Sequence, residues 1–250
     1  MAADGATLSG RTALVTGAAK RLGRATALAL AAEGTDVVVH YGRSRKAAED
    51  TAEDIRRLGR HAWTLGADLA DPEQASGLVA GSCEQAGPLD ILVNSASIFP
   101  DGGLTDVEPA ELALNVQVNA MAPLALGRAF AAQGRRGDII NFLDTRITDY
   151  DRDHAAYHLS KRMLADLTRM MALEFAPGVK VNAVAPGLIL PPAGKDESYL
   201  DRLASTNPLG RHGEAEDVTR AVLFLLASDF VTGQVIFVDG GRHMKGRVYG

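Results

Sequence analysis

Asp36–Tyr41 reads Asp-Val-Val-Val-His-Tyr, a run in which β-branched residues follow one another instead of alternating with polar ones. A strand with one wet face alternates, whereas a strand buried on both faces does not. Such a strand needs a sheet covered on each side, and this requirement narrows the fold more than any other feature. Short apolar runs recur at Thr12–Thr16, Ala62–Ala67, Asp90–Asn94, Asp138–Leu143, Val179–Val184 and Gln234–Val238. Between them lie helical stretches: Arg21–Glu33, Ala47–Leu58, Pro72–Ala86, a long helix within Pro109–Ala132, another within Ala155–Phe175, and Ala215–Ala227. Asp71 is placed to cap the third of these, with proline at its first helical position. Pro191–Thr206 is polar, with room for one short helix. The alternation predicts an α/β fold: a Rossmann-type, doubly wound parallel sheet of about seven strands in three αβα layers.

No internal repeat or linker interrupts the pattern, so residues 1–250 read as one domain with a flexible N-terminus over 1–10. The formal charge of −5 gives no support to general nucleic-acid binding, which wants a basic face. The single cysteine, Cys83, excludes an internal disulfide and points to a reducing compartment. Residues 1–10 lack the features of a secretory signal, and no run approaches the ~18 apolar residues of a membrane span. The expectation is a cytoplasmic protein with neither nucleic-acid nor membrane partner.

The first strand runs into Thr16-Gly17-Ala18-Ala19-Lys20-Arg21-Leu22-Gly23, and a helix follows at once. Glycine at such a turn lets backbone approach a pyrophosphate, and the helix N-terminus supplies free N–H groups and a favourable dipole. Gly17, Arg21, Leu22 and Gly23 are therefore candidate dinucleotide-binding residues. The usual middle glycine is replaced by Arg21. The second strand ends in His40-Tyr41-Gly42-Arg43-Ser44, with no acid before Glu49 to hold a ribose diol. Arg21 and Arg43 are placed to clamp a 2′-phosphate, with His40 and Ser44 as further donors, so the expected cofactor is NADP(H).

Tyr157 and Lys161 stand four apart, on one face of a helix. With the loop at Thr16–Gly23, this pair resembles the short-chain dehydrogenase/reductase family. The likeness extends to Asp68-Leu69 after the third strand, Asn94-Ser95-Ala96 at the fourth, Asn119 in the following helix and Pro186-Gly187 after the sixth strand. Val231–Gln234 and Val238–Gly241 complete the match. The resemblance implies Tyr157 as general acid in reduction, Lys161 at the nicotinamide ribose, and Asn119 holding a proton-relaying water. It implies cofactor contacts at Tyr41, Asp68, Leu69, Asn94, Ser95, Ala96, Pro186 and Gly187, beside those already named. Free tyrosine titrates near ~10, so a nearby ammonium is needed to stabilise the phenolate. Ser95 stands where the family more often has a second asparagine.

One departure bears on chemistry. The family's catalytic serine lies thirteen residues before the tyrosine, and here that position is Asp144. A carboxylate ~4 Å from a developing alkoxide opposes it by ~4 kcal/mol at an effective dielectric near 20. It favours instead a reacting group that gains a proton, such as a ring C=N. Asp144, with the TGAAKRLG loop, His40-Tyr41, Arg43-Ser44 and Asn94–Pro100, is similar to the pteridine reductases of this family. Leu188-Ile189-Leu190 and Gly240–Met244 resemble their bacterial dihydromonapterin reductase members. That likeness implies that Phe99 stacks on a pterin ring, that Ser97 touches cofactor and substrate, and that Leu188 opens a substrate-binding loop over 188–211. The expected substrate set is thus Ser97, Phe99, Asp144, Tyr157 and Leu188, acting on a dihydropterin or dihydrofolate. A ketoacyl-type carbonyl reductase and a non-catalytic NADP-binding sensor stay open as alternatives. His154, His158 and His212 lack metal-ligand spacing, so no metal is expected. A homo-oligomer, a tetramer by family likeness, is expected, with Met163, Met170 and Met171 offering an apolar helix face.

Overall fold

A computed structural model of the chain describes residues 8–192 and 194–247. Seven strands, β1 (Thr12–Thr16), β2 (Asp36–Tyr41), β3 (Ala62–Gly66), β4 (Ile91–Asn94), β5 (Gly137–Phe142), β6 (Val179–Pro186) and β7 (Val235–Val238), form one sheet. All pair in parallel in the order β3-β2-β1-β4-β5-β6-β7, as expected of a doubly wound sheet. The consecutive apolar residues of β1 and β2 divide between two cores. Ala13, Val15, Val37 and Val39 pack with α1 (Arg21–Ala32), α2 (Arg45–Arg57) and α8 (Ala215–Ala227). Leu14 and Val38 face the other way, against α3 (Pro72–Ala86), α5 (Ala122–Ala131) and α6 (Ala155–Glu174). At about 25 cal/mol per Å² of apolar surface removed from water, neither face tolerates a polar residue cheaply.

The chain leaves β1 toward β2 on one side, then returns to place β4 on the other. The C-terminal ends of β1 and β4 therefore flank a crevice, the usual ligand position in such sheets. From Leu8 onward the N-terminal segment is packed: Leu8 is buried and its carbonyl accepts from the Thr35 hydroxyl at 3.1 Å. The rest of the expected flexible N-terminus, residues 1–7, lies outside the described residues.

The long helix expected within Pro109–Ala132 is interrupted. α4 (Pro109–Val116) passes into a π turn, Gln117–Met121, before α5 begins. Pro123 has no N–H to give the Asn119 carbonyl four residues back, which favours a widened ladder there. In the polar stretch before Thr206 one short helix forms, α7 (Glu197–Ala204), anchored by buried Leu200. On α6, Met163 and Met170 point outward, while Met171 is buried under the sheet, so the expected three-methionine face has two members. Among the described residues no helix is long and apolar enough to cross a membrane.

Candidate active site

The glycine loop is held by contacts within the protein. Gly17 has φ +65°, and a Cβ on it would lie 2.9 Å from the Ala96 Cα. A Cβ on Gly23 would lie 2.4 Å from the Gly17 carbonyl oxygen. These glycines close the loop on itself and against β4, which brings backbone to the crevice. The Thr16 hydroxyl donates to the Val93 carbonyl and accepts from the Ser95 and Ala96 amides at 3.0 and 3.1 Å, clasping the ends of β1 and β4. α1 starts without a side-chain cap at Lys20 and without acid in its first turn, so its donors are left for another acceptor. Arg21, exposed at that turn, has φ +55°, the one positive φ outside glycine among the described residues. Arg43 is exposed and Ser44 half-buried at the end of β2.

His40, expected as a further phosphate donor, has no free ring N–H. It is buried; its Nδ1 accepts from the Gly17 amide at 3.2 Å and its Nε2–H donates to the Ala67 carbonyl at 3.0 Å. Burial holds its pKa below the ordinary value, against the opposing Ala67 hydrogen bond, which suits this neutral tautomer. Both ring nitrogens are spent on positioning the loop. Tyr41 lies over Gly66, where a Cβ would sit 2.9 Å from the phenol ring, so its ring is fixed by packing. Asp68 is exposed at the end of β3 and accepts from the Ala70 amide. Leu69, which follows it, puts its side chain into the core.

Asn94 turns inward: its amide donates to Asn141 Oδ1 at 2.8 Å, and Asn141 donates to the Thr168 hydroxyl at 2.9 Å. Ser97 donates to Asn119 Oδ1 at 3.1 Å. The same Oδ1 accepts from the Ile98 amide, while Asn119 Nδ2 donates to the Ile98 carbonyl and to Ser160 Oγ, both at 3.0 Å. With its side chain so occupied, Asn119 ties the Ser97 loop to α6, and its main-chain carbonyl receives no hydrogen bond from Pro123 four residues on. Pro186 is buried at the end of β6; Gly187 abuts Asp239, where a Cβ would meet the Asp239 Cβ at 2.6 Å. Leu188 is half-buried and its carbonyl accepts from the Gly213 amide at 2.9 Å.

At the other end of the crevice, Tyr157 donates its hydroxyl to Asp144 Oδ2 at 3.1 Å. Asp144 Oδ1 accepts from the Arg146 amide at 2.8 Å, which caps the 3-10 turn Thr145–Thr148 and fixes the carboxylate toward the tyrosine. Burial, with the Asp144 charge and hydrogen bond, raises the Tyr157 pKa well above its ordinary value. The phenol is thereby kept protonated and ready to donate. Lys161 is buried, donates to the Phe142 carbonyl at 2.7 Å, and lies 5.7 Å from the Tyr157 ring centre. Burial lowers its pKa to about 8, opposed by the Asp144 charge.

Phe99 stands over this pair. Its ring meets Tyr157 edge-on at 4.6 Å and 89°, and it remains 47% exposed, so an aromatic surface is offered beside the acid. One face is occupied by His154, stacked at 4.0 Å and 18°. His154 is held in turn between carboxylates, Nδ1 3.0 Å from Asp151 and Nε2 3.2 Å from Asp101, and Asp151 pairs with Arg146. The chain Arg146–Asp151–His154 is local, and the ring stack on Phe99 joins it to a loop 55 residues before His154, a link that nothing in the spacing announces. Asp239 is a second such centre, accepting from the Thr145 hydroxyl and from the Gly241 and His243 amides.

The family model described as enoyl-(acyl carrier protein) reductase matches residues 17–243. Versicolorin reductase 1 of Aspergillus parasiticus is 36% identical over 95% of this chain and 98% of its own length. The 3-oxoacyl-[acyl-carrier-protein] reductase FabG of Staphylococcus aureus is 34% identical over 94% and 98%. The structure of FolM alternative dihydrofolate reductase 1 from Brucella canis, complexed with NADP, superposes with a TM-score of 0.90 at 32% identity, covering 95% of this chain and 96% of that one.

Proposed function

This chain belongs to the short-chain dehydrogenase/reductase family, and on that premise we propose that it is an NADPH-dependent reductase of a pterin-type substrate. The cofactor reading draws on FolM, whose structure was determined with NADP. It also draws on this chain's own donors: the uncapped start of α1, exposed Arg21 and Arg43, and Ser44. Two guanidiniums and no acid at the end of β2 suit a 2′-phosphate and not a ribose diol. The close-packed Gly17 and Gly23 fit the same ligand, because they leave backbone at the crevice floor. His40 serves the cofactor through the loop it positions.

When bound, NADPH supplies a hydride. The residues do the rest. Tyr157 gives its proton to the reacting atom, and its raised pKa keeps that proton in place until a base stronger than water is presented. Lys161, held by the Phe142 carbonyl, puts positive charge near the phenol as it becomes a phenolate. Asp144 holds the hydroxyl in position and stabilises a reacting nitrogen as it gains positive charge. Phe99 offers an aromatic face to a flat heterocycle, and Asn119 with Ser97 fixes the loop that carries it. The single observation that carries the pterin reading is this one: a carboxylate, not a hydroxyl, 3.1 Å from the Tyr157 oxygen, beside a half-exposed phenyl ring.

A second reading is ketone reduction, favoured by the names of versicolorin reductase and FabG. NADPH oxidation measured against a dihydropterin, dihydrofolate and a 3-ketoacyl thioester separates the two. Turnover of the thioester alone would set the pterin reading aside. The chain is further read as a cytoplasmic homotetramer, with the outward methionines of α6 in an interface.

A further inference from the structure

Beyond Asp144 the crevice opens into a cavity of about 340 Å³ lined by Thr145, Arg146, Asp151, Arg242 and His243 at its inner wall. Its outer residues, Asp149, Tyr150, Arg152 and Asp153, are exposed. The inner charges do not cancel. Asp151 is matched by Arg146 and His154, and His243 pairs with Asp239 at 2.9 Å. Arg242 is half-buried, yet among the described residues no carboxylate lies within ion-pair distance of its guanidinium. Burial and the facing Arg146 charge both push its pKa down, while Asp144, Tyr199 and Asp239 pull it up. A half-buried guanidinium with no direct ion-pair partner, beside a second one already paired with Asp151, is a site that gains from an anion.

We propose that this cavity is a subsite for an anionic substituent of the substrate, a carboxylate or phosphate ester, gripped by Arg242 and Arg146. The inference deepens the reductase reading above and rests on it for the position of the reacting ring. Arg146 is suited to the role because its backbone amide already holds Asp144 and its side chain is braced by Asp151. An arginine fork presents paired donors to either oxyanion, and a braced one loses little freedom on binding. Tyr199 of α7 stands close enough to act electrostatically on both arginines. A substrate carrying such a tail is thus read at both ends, its ring by Phe99 and Asp144 and its tail by the arginines.

The tail contact exists equally before and during hydride transfer, so it acts on KM more than on kcat. The test compares dihydrofolate, dihydroneopterin phosphate and neutral dihydrobiopterin with NADPH, in wild type, Arg242→Gln and Arg242→Lys. We expect the anionic substrates to have KM values about tenfold lower than the neutral one. Arg242→Gln should bring the ratio close to one, and Arg242→Lys should retain more of it for phosphate than for the planar carboxylate. A wild-type ratio near one, or a ratio that survives Arg242→Gln, overturns the subsite. Calorimetry on the enzyme–NADP⁺ complex with p-aminobenzoyl-glutamate and its neutral diamide gives a readout independent of pterin turnover. Arg242-dependent preference for the acid supports the subsite even if no pterin is reduced, in which case the pterin reading alone fails. Equal binding of acid and diamide rejects the subsite itself.

Discussion

Arg21 occupies a backbone position that an L-residue enters at a cost, and replacing it with glycine should expose what the side chain does. At φ +55°, a non-glycine residue is roughly 1–2 kcal/mol above its right-handed alternative. Glycine relieves that strain but loses about 0.5–1 kcal/mol to the greater freedom of its unfolded chain. Arg21→Gly should therefore stabilise the cofactor-free protein by about 0.5–1 kcal/mol, or roughly 1–4 °C in melting temperature for a chain of this size. The side chain is exposed and has no ion pair among the described residues, so little folded-state packing is lost. Removing one charge-assisted phosphate contact costs about 1.5–3 kcal/mol of binding, or roughly 10–150-fold in the NADPH KM. The KM for NADH should hardly move. Scanning calorimetry and steady-state kinetics with both cofactors, on Arg21→Gly and on Arg43→Ala as the unstrained control, measure both halves. A melting temperature that falls, or an NADPH KM within twofold of wild type, would refute the reasoning.

Four further outcomes are expected. Tyr157→Phe should lose ~10²–10⁴-fold in turnover while NADPH affinity, measured by fluorescence titration, stays within a few-fold; retention of a tenth of the activity reassigns the acid. Asp144→Ser should lower pterin reduction tenfold or more and raise simple-ketone reduction by about 30-fold, taking half of the ~4 kcal/mol that a full charge would feel at ~4 Å; unchanged pterin turnover ends the role given to the carboxylate. Lys161 is protonated to 10.5 when unfolded but only to about 8 when folded, so its burial withholds about 3 kcal/mol below pH 8, regained as pH rises from 8 to 10.5. Lys161→Met should thus abolish turnover yet raise the apo-protein melting temperature more at pH 7 than at pH 9.5, and a variant less stable than wild type at pH 7 contradicts this. Light scattering at micromolar concentration should give a tetramer; a monomer removes the α6 methionines from any interface.

Much of this molecule is readable without coordinates, for a physical reason. Val37, Val38 and Val39 are consecutive because two cores want them, so the doubly covered sheet is written into a six-residue run. The Tyr157–Lys161 pair is readable because its spacing is local to one helix. Pro123 is compatible with the π turn, but the alanines and leucines around it suit an unbroken helix equally well. What stays hidden depends on partners brought from afar. His40 looks like a surface donor until the Ala67 carbonyl, 27 residues on, and the Gly17 amide claim its two nitrogens. Nothing around Asn119 in the sequence shows that its side chain binds the Ser97 loop and Ser160. Leu69 sits beside an exposed aspartate, and only the packing of α3 and α5 decides that its side chain goes inward. The brace from Arg146 to Phe99 joins one loop residue to another through an ion pair and a ring stack, neither of which leaves a periodic trace.

The π turn between α4 and α5 also changes how this segment can evolve. Each residue of a regular helix advances the side chains by about 100°, and the wide turn absorbs one surplus residue without ending the helix. Deleting a single residue from Gln117–Met121 would leave a regular helix of respectable stability, but one half would be out of phase with the other. Asn115 and Asn119, now joined through Asn119 Nδ2, would face different neighbours, and the Ser97 loop would lose its anchor. The segment behaves like an angular gear with one extra tooth: shortening it is a rotation. Lineages that keep Asn119 and the α4 face in register must keep the extra residue, whatever else in the helix drifts.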